Sequence, residues 1–388
     1  MLTSKTSILF FIFAITLLSV IGTVSLPPAL PVIAQLFGVA KEDIGMIMAI
    51  YTLPGIILTP VFGYFADKFG RKRILIPSLI LFGIFSIACF FATSYSQLLV
   101  WRFFQGVSAA SLGALNIVLI SDYYNNTEKN KILGLNSAVM SLGTAAFPIM
   151  TAGLLHFGWN FPFLISSVAV LVGVFGATFF QDSYTVTAES TLAKDPGTSR
   201  KIIWVYALSV MTYIILFGCF MTYLPFVITD VLAGKPLFTG LSMTILSVGT
   251  LLVALFFGTI TRRISQYKLL VYSFLIYTLA LVLFITASSM IQVFVAAFLY
   301  GCGNAFNFPN TQSIISKLSH PSRLATNLSL NRMSILLGQT IGPLLMGKVF
   351  ELSGFRLTTV FWFGISLSLL TFLIVYFNRA FNAKSELL

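Results

Sequence analysis

Long apolar runs alternate with short polar connections along almost the whole chain. Most of the runs reach or exceed the ~20 apolar residues that a helix needs to cross a bilayer. The pattern predicts an all-α membrane protein with twelve transmembrane helices, numbered 1 to 12 along the chain. Their predicted ranges are residues 7–36, 44–66, 73–93, 97–121, 131–155, 160–180, 201–229, 238–261, 267–287, 291–316, 325–349 and 358–378.

One longer polar stretch divides the chain. Residues 181–200 are predicted to form a cytoplasmic linker between an N-terminal six-helix bundle (1–180) and a C-terminal six-helix bundle (201–388). A shift of 195 residues superposes landmarks of the two halves, which predicts two pseudo-symmetric bundles with substrate bound near the midplane. The superposed pairs are Gly63 and Gly258, Gly106 and Gly301, Ser121 and Ser316, Asn136 and Asn331, Gly143 and Gly338, and Pro148 and Pro343.

Composition and charge agree with a polytopic membrane protein. The chain is 57% hydrophobic and 9% charged, whereas a soluble protein has about 25% charged residues. The net charge of +12 does not indicate a nucleic-acid partner, because the basic residues lie between apolar runs. The expected surroundings are a lipid bilayer, and the expected state is a monomer. The first apolar run is interpreted as helix 1, serving as an uncleaved insertion signal.

The basic residues also predict the orientation, because Lys and Arg favour cytoplasmic loops. If both termini are cytoplasmic, most basic residues lie inside, and only Lys41, Lys235, Lys348 and Arg356 lie outside. The predicted location is a multi-pass position in the cell inner membrane. The three cysteines and two histidines have no metal-ligand or catalytic spacing. No enzyme activity, metal or cofactor is therefore expected.

The connection between helices 2 and 3 is the most specific motif. Residues 63–73 read GYFADKFGRKR, with one acid, four bases and two glycines. The pattern G-x-x-x-D-x-x-G-R-[KR]-[KR], which here includes Gly63, Asp67, Gly70 and Arg71, resembles the signature loop of the major facilitator superfamily of secondary transporters. The motifs of helices 4 and 5 described below resemble its twelve-helix drug/proton antiporter-like branch.

The resemblance implies a latch at the cytoplasmic ends of the helices. Asp67 is expected to face the start of helix 11 near Ala325–Asn327, and Arg71 is expected to bridge to Asp122. A carboxylate at a helix N-terminus contributes about 0.3–1 kcal/mol, enough to bias a conformational equilibrium. Alternatively, these charges only set the topology. In the second half Arg262 replaces the acid, so no second latch of this type is expected.

Helix 4 carries an arginine inside its apolar run. Residues 99–110 read LVWRFFQGVSAA, which resembles the family motif L-x-x-R-x-x-Q-G-x-x-A-A. In related antiporters the arginine, here Arg102, is linked to proton coupling, and Gln105 lies one turn away. Alternatively, Arg102 extends its head group to the outer interface. No Asp or Glu lies in the middle of a predicted helix. Proton coupling would then require Asp122, Asp230 or the substrate itself to titrate.

Helices 5 and 11 carry glycine and proline motifs. Helix 5 matches the antiporter pattern G-x8-G-x3-G-P-x2-G in part, and helix 11 matches its second half. In antiporters this motif is thought to seal the extracellular half, whereas the alternative is ordinary packing of small residues. The matching residues are Gly134, Gly143, Pro148, Gly338, Gly342 and Pro343.

Polar residues inside the helices outline a candidate cavity, because intramembrane polar groups usually face the bundle interior. Each could instead be a hydrogen bond between helices. Arg332, two turns into helix 11, is interpreted as part of a gate. The candidates for coupling or substrate binding, besides Arg102 and Gln105, are Asn116, Asn136, Asn304, Asn307, Asn310, Asn331 and Gln339.

Together these features predict a secondary active transporter that exports small hydrophobic or amphipathic compounds by alternating access, coupled to protons. The alternative is a transporter of a defined metabolite, such as a sugar, nucleoside or siderophore-like compound, without obligatory proton coupling. The absence of an acid from helix 1 and the row of asparagines favour this alternative. Asn and Arg suit neutral or anionic substrates better than cations.

Overall fold

The computed structural model describes residues 5–124, 126–180, 200–320 and 323–377. This part of the chain contains twelve helices that are long and apolar enough to cross a membrane, which confirms the predicted number. Helix 1 is broken at Ser25 and Leu26. The helices are Lys5–Val24 continued by Pro27–Ala29 and Leu30–Phe37 (helix 1), Met46–Phe69, Arg71–Phe90, Tyr95–Tyr123, Asn126–Leu154, Phe161–Phe179, Arg200–Val231 (helix 7), Pro236–Leu255 with Phe257–Arg263 (helix 8), Gln266–Ile285, Met290–Leu318, Leu324–Leu352 and Leu357–Phe377 (helix 12).

The described residues fall into two compact units. Unit 1 consists of those within Met1–Leu26 and Ile50–Asp195, and unit 2 of those within Pro27–Ala49 and Pro196–Leu388. This division differs from the predicted bundles at Pro27–Ala49, because that segment packs against helices of the second half. Most of the predicted linker, residues 181–199, lies outside the described residues.

Unit 1 is built around one face of helix 1. Ile8, Ile12 and Ile15 recur at the spacing of a helical stripe and are almost fully buried. They belong to one apolar cluster with Leu112 and Leu119 of helix 4. Helix 1 packs against helices 4 and 5, and helix 3 packs against helices 4 and 6. In unit 2, helix 7 packs against helices 10 and 11, and helix 9 against helices 10 and 12.

The repeat of 195 residues is visible in the helix bounds. Helices 3 and 9 are both 20 residues long and begin at Arg71 and Gln266. Helices 4 and 10 are both 29 residues long, and each begins with a serine cap whose hydroxyl accepts a hydrogen bond from a glutamine backbone N–H. The caps are Ser94 and Ser289. Matching starts and matching caps indicate that the two halves share one helical plan.

Two glycines at equivalent positions permit the closest helix contacts. A Cβ atom at Gly106 would lie 2.0 Å from the backbone oxygen of Tyr51, and one at Gly301 would lie 2.0 Å from that of Leu246. Tyr51 and Leu246 are themselves 195 residues apart. Backbones of helices 2 and 4, and of helices 8 and 10, therefore approach at the same place in each half.

Gly106→Ala is expected to destabilise the folded protein by about 1–3 kcal/mol, the usual cost of overpacking a core. Gly134→Ala is the matched control, because a Cβ at Gly134 meets no atom within 4 Å. The control should be as stable as the unchanged protein or slightly more stable, since alanine favours helices over glycine. Thermal unfolding of the purified variants measures the difference. Equal unfolding temperatures for the two variants would contradict the close contact.

Helix 7 departs from regular α-helical geometry in its second half. Leu216–Tyr223 and Val227–Val231 have π-helical hydrogen bonding, on either side of the short turn Leu224–Phe226. Pro225 lies between them and has no N–H to donate. The Thr222 hydroxyl donates to the Phe217 carbonyl, five residues earlier, at 2.7 Å. Short π-helical segments inside a longer helix are frequent at functional sites.

Candidate functional site

A single glycine allows the chain to reverse between helices 2 and 3. Helix 2 ends at Phe69 and helix 3 begins at Arg71. Between them Gly70 has φ of +97°, a conformation that side chains with a Cβ rarely adopt. The first residue of helix 3 can therefore turn back towards the last turn of helix 2.

Arg71 lies between two carboxylates at this turn. Its Nε donates to Asp122 Oδ2 at 3.2 Å, and its Nη1 is paired with Asp67 Oδ1. The Arg71 side chain is 9% exposed, that of Asp122 24% and that of Asp67 60%. These three residues are called the Arg71 cluster below. Arg71 and Asp122 form its more buried part, whereas the expected approach of Asp67 to helix 11 stays a prediction. Gly63, the first glycine of the motif, has open space where a Cβ would lie.

Arg102 is enclosed by unit 1 and is 2% exposed. Its guanidinium donates to the Gly22 carbonyl and to Gln105 Oε1, both at 2.8 Å. The guanidinium carbon lies 4.1 Å from the centre of the Tyr51 ring, within the range of a cation–π interaction. Gln105 in turn donates to the Ser86 hydroxyl at 2.5 Å. Arg102 thus lies inside the unit and connects helices 1, 2 and 4, and through Gln105 helix 3.

Asn116 and Asn136 join the helices of unit 1 in a second polar network. Asn116 Nδ2 lies 2.9 Å from the Ile12 carbonyl and 2.8 Å from the Thr16 hydroxyl. Asn136 Nδ2 donates to Asn116 Oδ1 at 3.0 Å, and Thr16 contacts Asn136 Oδ1. Each amide has partners on a neighbouring helix. This geometry corresponds to interhelical hydrogen bonding among helices 1, 4 and 5.

Three asparagines of unit 2 also connect helices. Ser209 donates to Asn331 Oδ1 at 2.7 Å and links helix 7 to helix 11. Asn310 donates to the Gln266 carbonyl at 2.6 Å, and Asn307 contacts the Ser273 hydroxyl at 3.4 Å. The predicted row of asparagines on helix 10 is therefore directed towards helix 9 at Asn307 and Asn310. Asn310 Oδ1 and Asn331 Nδ2 are buried without a partner among the described residues, so a role in substrate binding stays a prediction.

Other polar atoms of unit 2 are buried without a partner among the described residues. They include the hydroxyls of Tyr277 and Tyr300, Asn304 Oδ1 and Gln339 Oε1. A buried polar atom left unpaired costs about 1–3 kcal/mol. Asn304 and Gln339 were predicted as candidates, whereas the two tyrosines were not. The repeat contained a signal, because Tyr300 lies 195 residues after Gln105.

Arg332 is exposed on helix 11. Its neighbour Asn331 accepts a hydrogen bond from Ser209 of helix 7, which places this turn of helix 11 against helix 7. Arg332 and Gln339 are seven residues apart and share one face of the helix. The gate proposed for Arg332 stays a prediction.

The glycine motif of helix 5 contacts helix 1, and that of helix 11 contacts helix 7. A Cβ at Gly143 would lie 2.8 Å from the Leu17 side chain of helix 1. On helix 11, Cβ atoms at Gly338 and Gly342 would lie 2.5 Å and 2.7 Å from the backbone oxygens of Val210 and Ile214. Within each unit the motif thus permits close helix packing.

Unit 2 contains a set of contacts around Lys41 that was not predicted from the sequence. Lys41, in the connection between helices 1 and 2, forms an ion pair with Asp230 and lies 5.6 Å from the ring centre of Phe226. The Tyr223 hydroxyl donates to the Lys41 carbonyl at 3.3 Å. Nearby, a Cβ at Gly45 would lie 2.8 Å from Pro343. Pro343, predicted as a packing residue of helix 11, therefore contacts this segment, while Asp230 already has a cationic partner.

Known proteins resemble the chain along most of its length. The quinolone resistance protein NorA of Staphylococcus aureus is 24% identical over 363 residues, which cover 92% of each protein. The bacillibactin exporter of Bacillus subtilis is 28% identical over 157 residues, 39% of each protein. Among solved structures, a D-xylose–proton symporter is similar with a TM-score of 0.79 and 14% identity, over 96% of this chain and 97% of that one.

A family model describes both halves of the chain. The model of the Major Facilitator Superfamily matches residues 12–233 and again residues 206–386. The match agrees with the twelve helices, the repeat and the glycine-containing turn at Gly70. The chain is a multi-pass membrane transporter that belongs to the Major Facilitator Superfamily.

Proposed function

We propose that this transporter exports small hydrophobic or amphipathic compounds across a bacterial cytoplasmic membrane by alternating access, in exchange for protons. Both termini lie in the cytoplasm, and the Arg71 cluster lies on that side. The observation that carries the proposal is the Arg102 network, a buried cation held by Gln105 and the Gly22 carbonyl against an aromatic ring. Likeness to a quinolone resistance protein over 92% of the chain supports the same substrate class.

Proton exchange requires a group that gains and loses a proton during the transport cycle. No Asp or Glu lies in the middle of the helices within the described residues. Asp122 is paired with Arg71 and Asp230 is paired with Lys41. In the proposed cycle, protonation of one of these carboxylates weakens its ion pair and releases the helix end that it holds. A substrate that itself gains or loses a proton is the alternative carrier.

A second candidate function is transport of a defined metabolite. It is favoured by the missing intramembrane acid, because a neutral or anionic substrate needs no carboxylate for binding. Partial likeness to a bacillibactin exporter is consistent with this candidate. It differs from drug export in the substrate, and it does not require a pH gradient.

Proteoliposomes that contain the purified protein distinguish the two functions. With an acidic interior, a fluorescent fluoroquinolone is expected to accumulate inside, since protons leave as the drug enters. Collapse of the gradient with nigericin should abolish accumulation, and protein-free liposomes are the control. Movement of a labelled sugar, nucleoside or siderophore without fluoroquinolone movement would overturn the export proposal in favour of the second candidate.

A further inference from the structure

Two stacked tyrosines form the centre of a polar cluster in unit 2. The rings of Tyr277 on helix 9 and Tyr300 on helix 10 lie 4.6 Å apart at an angle of 26°. Both side chains are fully buried, and neither hydroxyl has a hydrogen-bond partner within the part of the chain that the structure describes. Buried polar groups in proteins almost always have a partner. Two neighbouring exceptions therefore indicate a place where a bound molecule supplies the missing bonds.

Side chains from helices 7 and 11 extend the cluster. Tyr213 of helix 7 lies near Tyr277 and Tyr300. Gln339 is adjacent to Gly338, where a Cβ would lie 2.8 Å from Tyr213 Cβ. Asn304 lies one turn after Tyr300 on helix 10, and its Oδ1, like Gln339 Oε1, is unpaired among the described residues. Helices 7, 9, 10 and 11 thus all contribute polar atoms.

At the equivalent positions of unit 1, the polar atoms form hydrogen bonds within the protein. The residue 195 positions before Tyr300 is Gln105, which bonds both Arg102 and Ser86. The residue equivalent to Tyr277 is Phe82, which has no polar atom. The two halves therefore share a helical plan but differ in hydrogen bonding. At these positions, the described residues of unit 2 have unpaired polar atoms, whereas those of unit 1 do not.

The charge of this region indicates which ligand it accepts. Arg332 shares a face of helix 11 with Gln339, and its neighbour Asn331 accepts a hydrogen bond from Ser209 of helix 7. No carboxylate lies in the middle of a helix that the structure describes. An arginine favours a carboxylate or similar planar anion through paired hydrogen bonds, and it repels a cation. Aromatic rings prefer flat partners in offset or edge-to-face geometry.

We propose that Tyr213, Tyr277, Tyr300, Asn304, Arg332 and Gln339 form a binding site for amphipathic aromatic acids. Arg332 holds the acid group, and the tyrosines and amides bind the ring and its polar substituents. The inference rests on the proposed function, because it names the substrate class of the same transporter. It makes unit 2 the part that selects substrate by charge.

Three naphthalene compounds of equal ring size test the site by binding to the purified full-length protein. Isothermal titration calorimetry is expected to show naphthoate binding at least tenfold more tightly than naphthylmethylammonium, with naphthol between them. Arg332→Gln should remove this preference by weakening naphthoate binding about tenfold. Arg356→Gln, which removes the same charge from an exposed connection, should leave the preference unchanged.

Tyr300→Phe separates a binding role from a structural one. The variant keeps the ring stack and removes a hydroxyl that has no partner in the described residues. The folded protein should therefore be as stable as before, while naphthoate binding weakens several-fold. Equal binding of acid and amine, retention of the preference in Arg332→Gln, or unchanged naphthoate binding in Tyr300→Phe would overturn the site.

Failure of the site and failure of the transporter function have different signatures. A protein that moves the fluoroquinolone in proteoliposomes but binds acid and amine equally lacks the proposed selectivity and keeps the export function. A protein that prefers naphthoate but moves no fluoroquinolone keeps the site and loses the export proposal.

Discussion

Arg102→Gln is expected to reduce transport by about 100-fold or more. The substitution removes the guanidinium hydrogen bonds to Gly22 and Gln105 and the contact with the Tyr51 ring. Hydrogen bonds to charged groups contribute about 1.5–3 kcal/mol each, and about 1.4 kcal/mol corresponds to a tenfold change in rate. The loss is large because these bonds hold the broken part of helix 1 against helices 2 and 4. Transport in proteoliposomes measures the effect.

Three further substitutions separate geometry from charge at this site. Arg102→Lys keeps the positive charge but cannot form the same planar set of contacts, so we expect a loss of about tenfold. Tyr51→Phe keeps the ring beneath the guanidinium and should transport at close to the original rate, whereas Tyr51→Leu should not. Full transport by Arg102→Lys would show that charge alone suffices and would contradict the geometric role.

Arg71→Gln is expected to reduce transport at least tenfold and to lower the unfolding temperature. The substitution leaves Asp122, which is 24% exposed, without its cation. Breaking a fully buried ion pair costs about 3–5 kcal/mol, and an exposed pair contributes about 0–1 kcal/mol. This half-buried pair lies between these limits.

Arg73→Gln is the matched control for Arg71→Gln. Arg73 lies in the same turn and is exposed, so its replacement removes the same charge from the same loop. We expect near-normal transport, because the ion pairs of Arg71 remain. Equal losses in the two variants would show that the loop acts only through its number of positive charges, which is the topology alternative.

Asp67→Asn should reduce transport without lowering the unfolding temperature, since its carboxylate is 60% exposed.

The helices and their repeat could be predicted from sequence because each depends on local composition. Apolar runs of sufficient length predict spans, and a constant offset aligns Gly106 with Gly301. The structure adds the reason for that alignment, which is a backbone contact at the same register in both halves. The charged turn was predictable for the same reason, since Asp67, Gly70 and Arg71 are close in sequence.

Contacts between distant segments could not be predicted in this way. Nothing near Arg102 in the sequence indicates that Tyr51 lies beneath it. The tyrosines of helices 9 and 10 read as ordinary aromatic residues until their hydroxyls are found unpaired. Asn307 and Asn310 looked equivalent to Asn304 by spacing. Their separate roles depend on the position of helix 9, which the asparagines themselves do not specify.

The segment Pro27–Ala49 has a consequence for dividing the protein. It precedes most of unit 1 in the chain, yet its Lys41 and Gly45 pack against Asp230 and Pro343. A cut in the linker therefore does not yield two self-sufficient fragments. The C-terminal fragment would lack the counter-ion of Asp230, and the N-terminal fragment would carry a hairpin without its packing surface. The two halves of the chain resemble a duplicated module. Unit 2, however, is complete only when both halves are present, because it includes Pro27–Ala49.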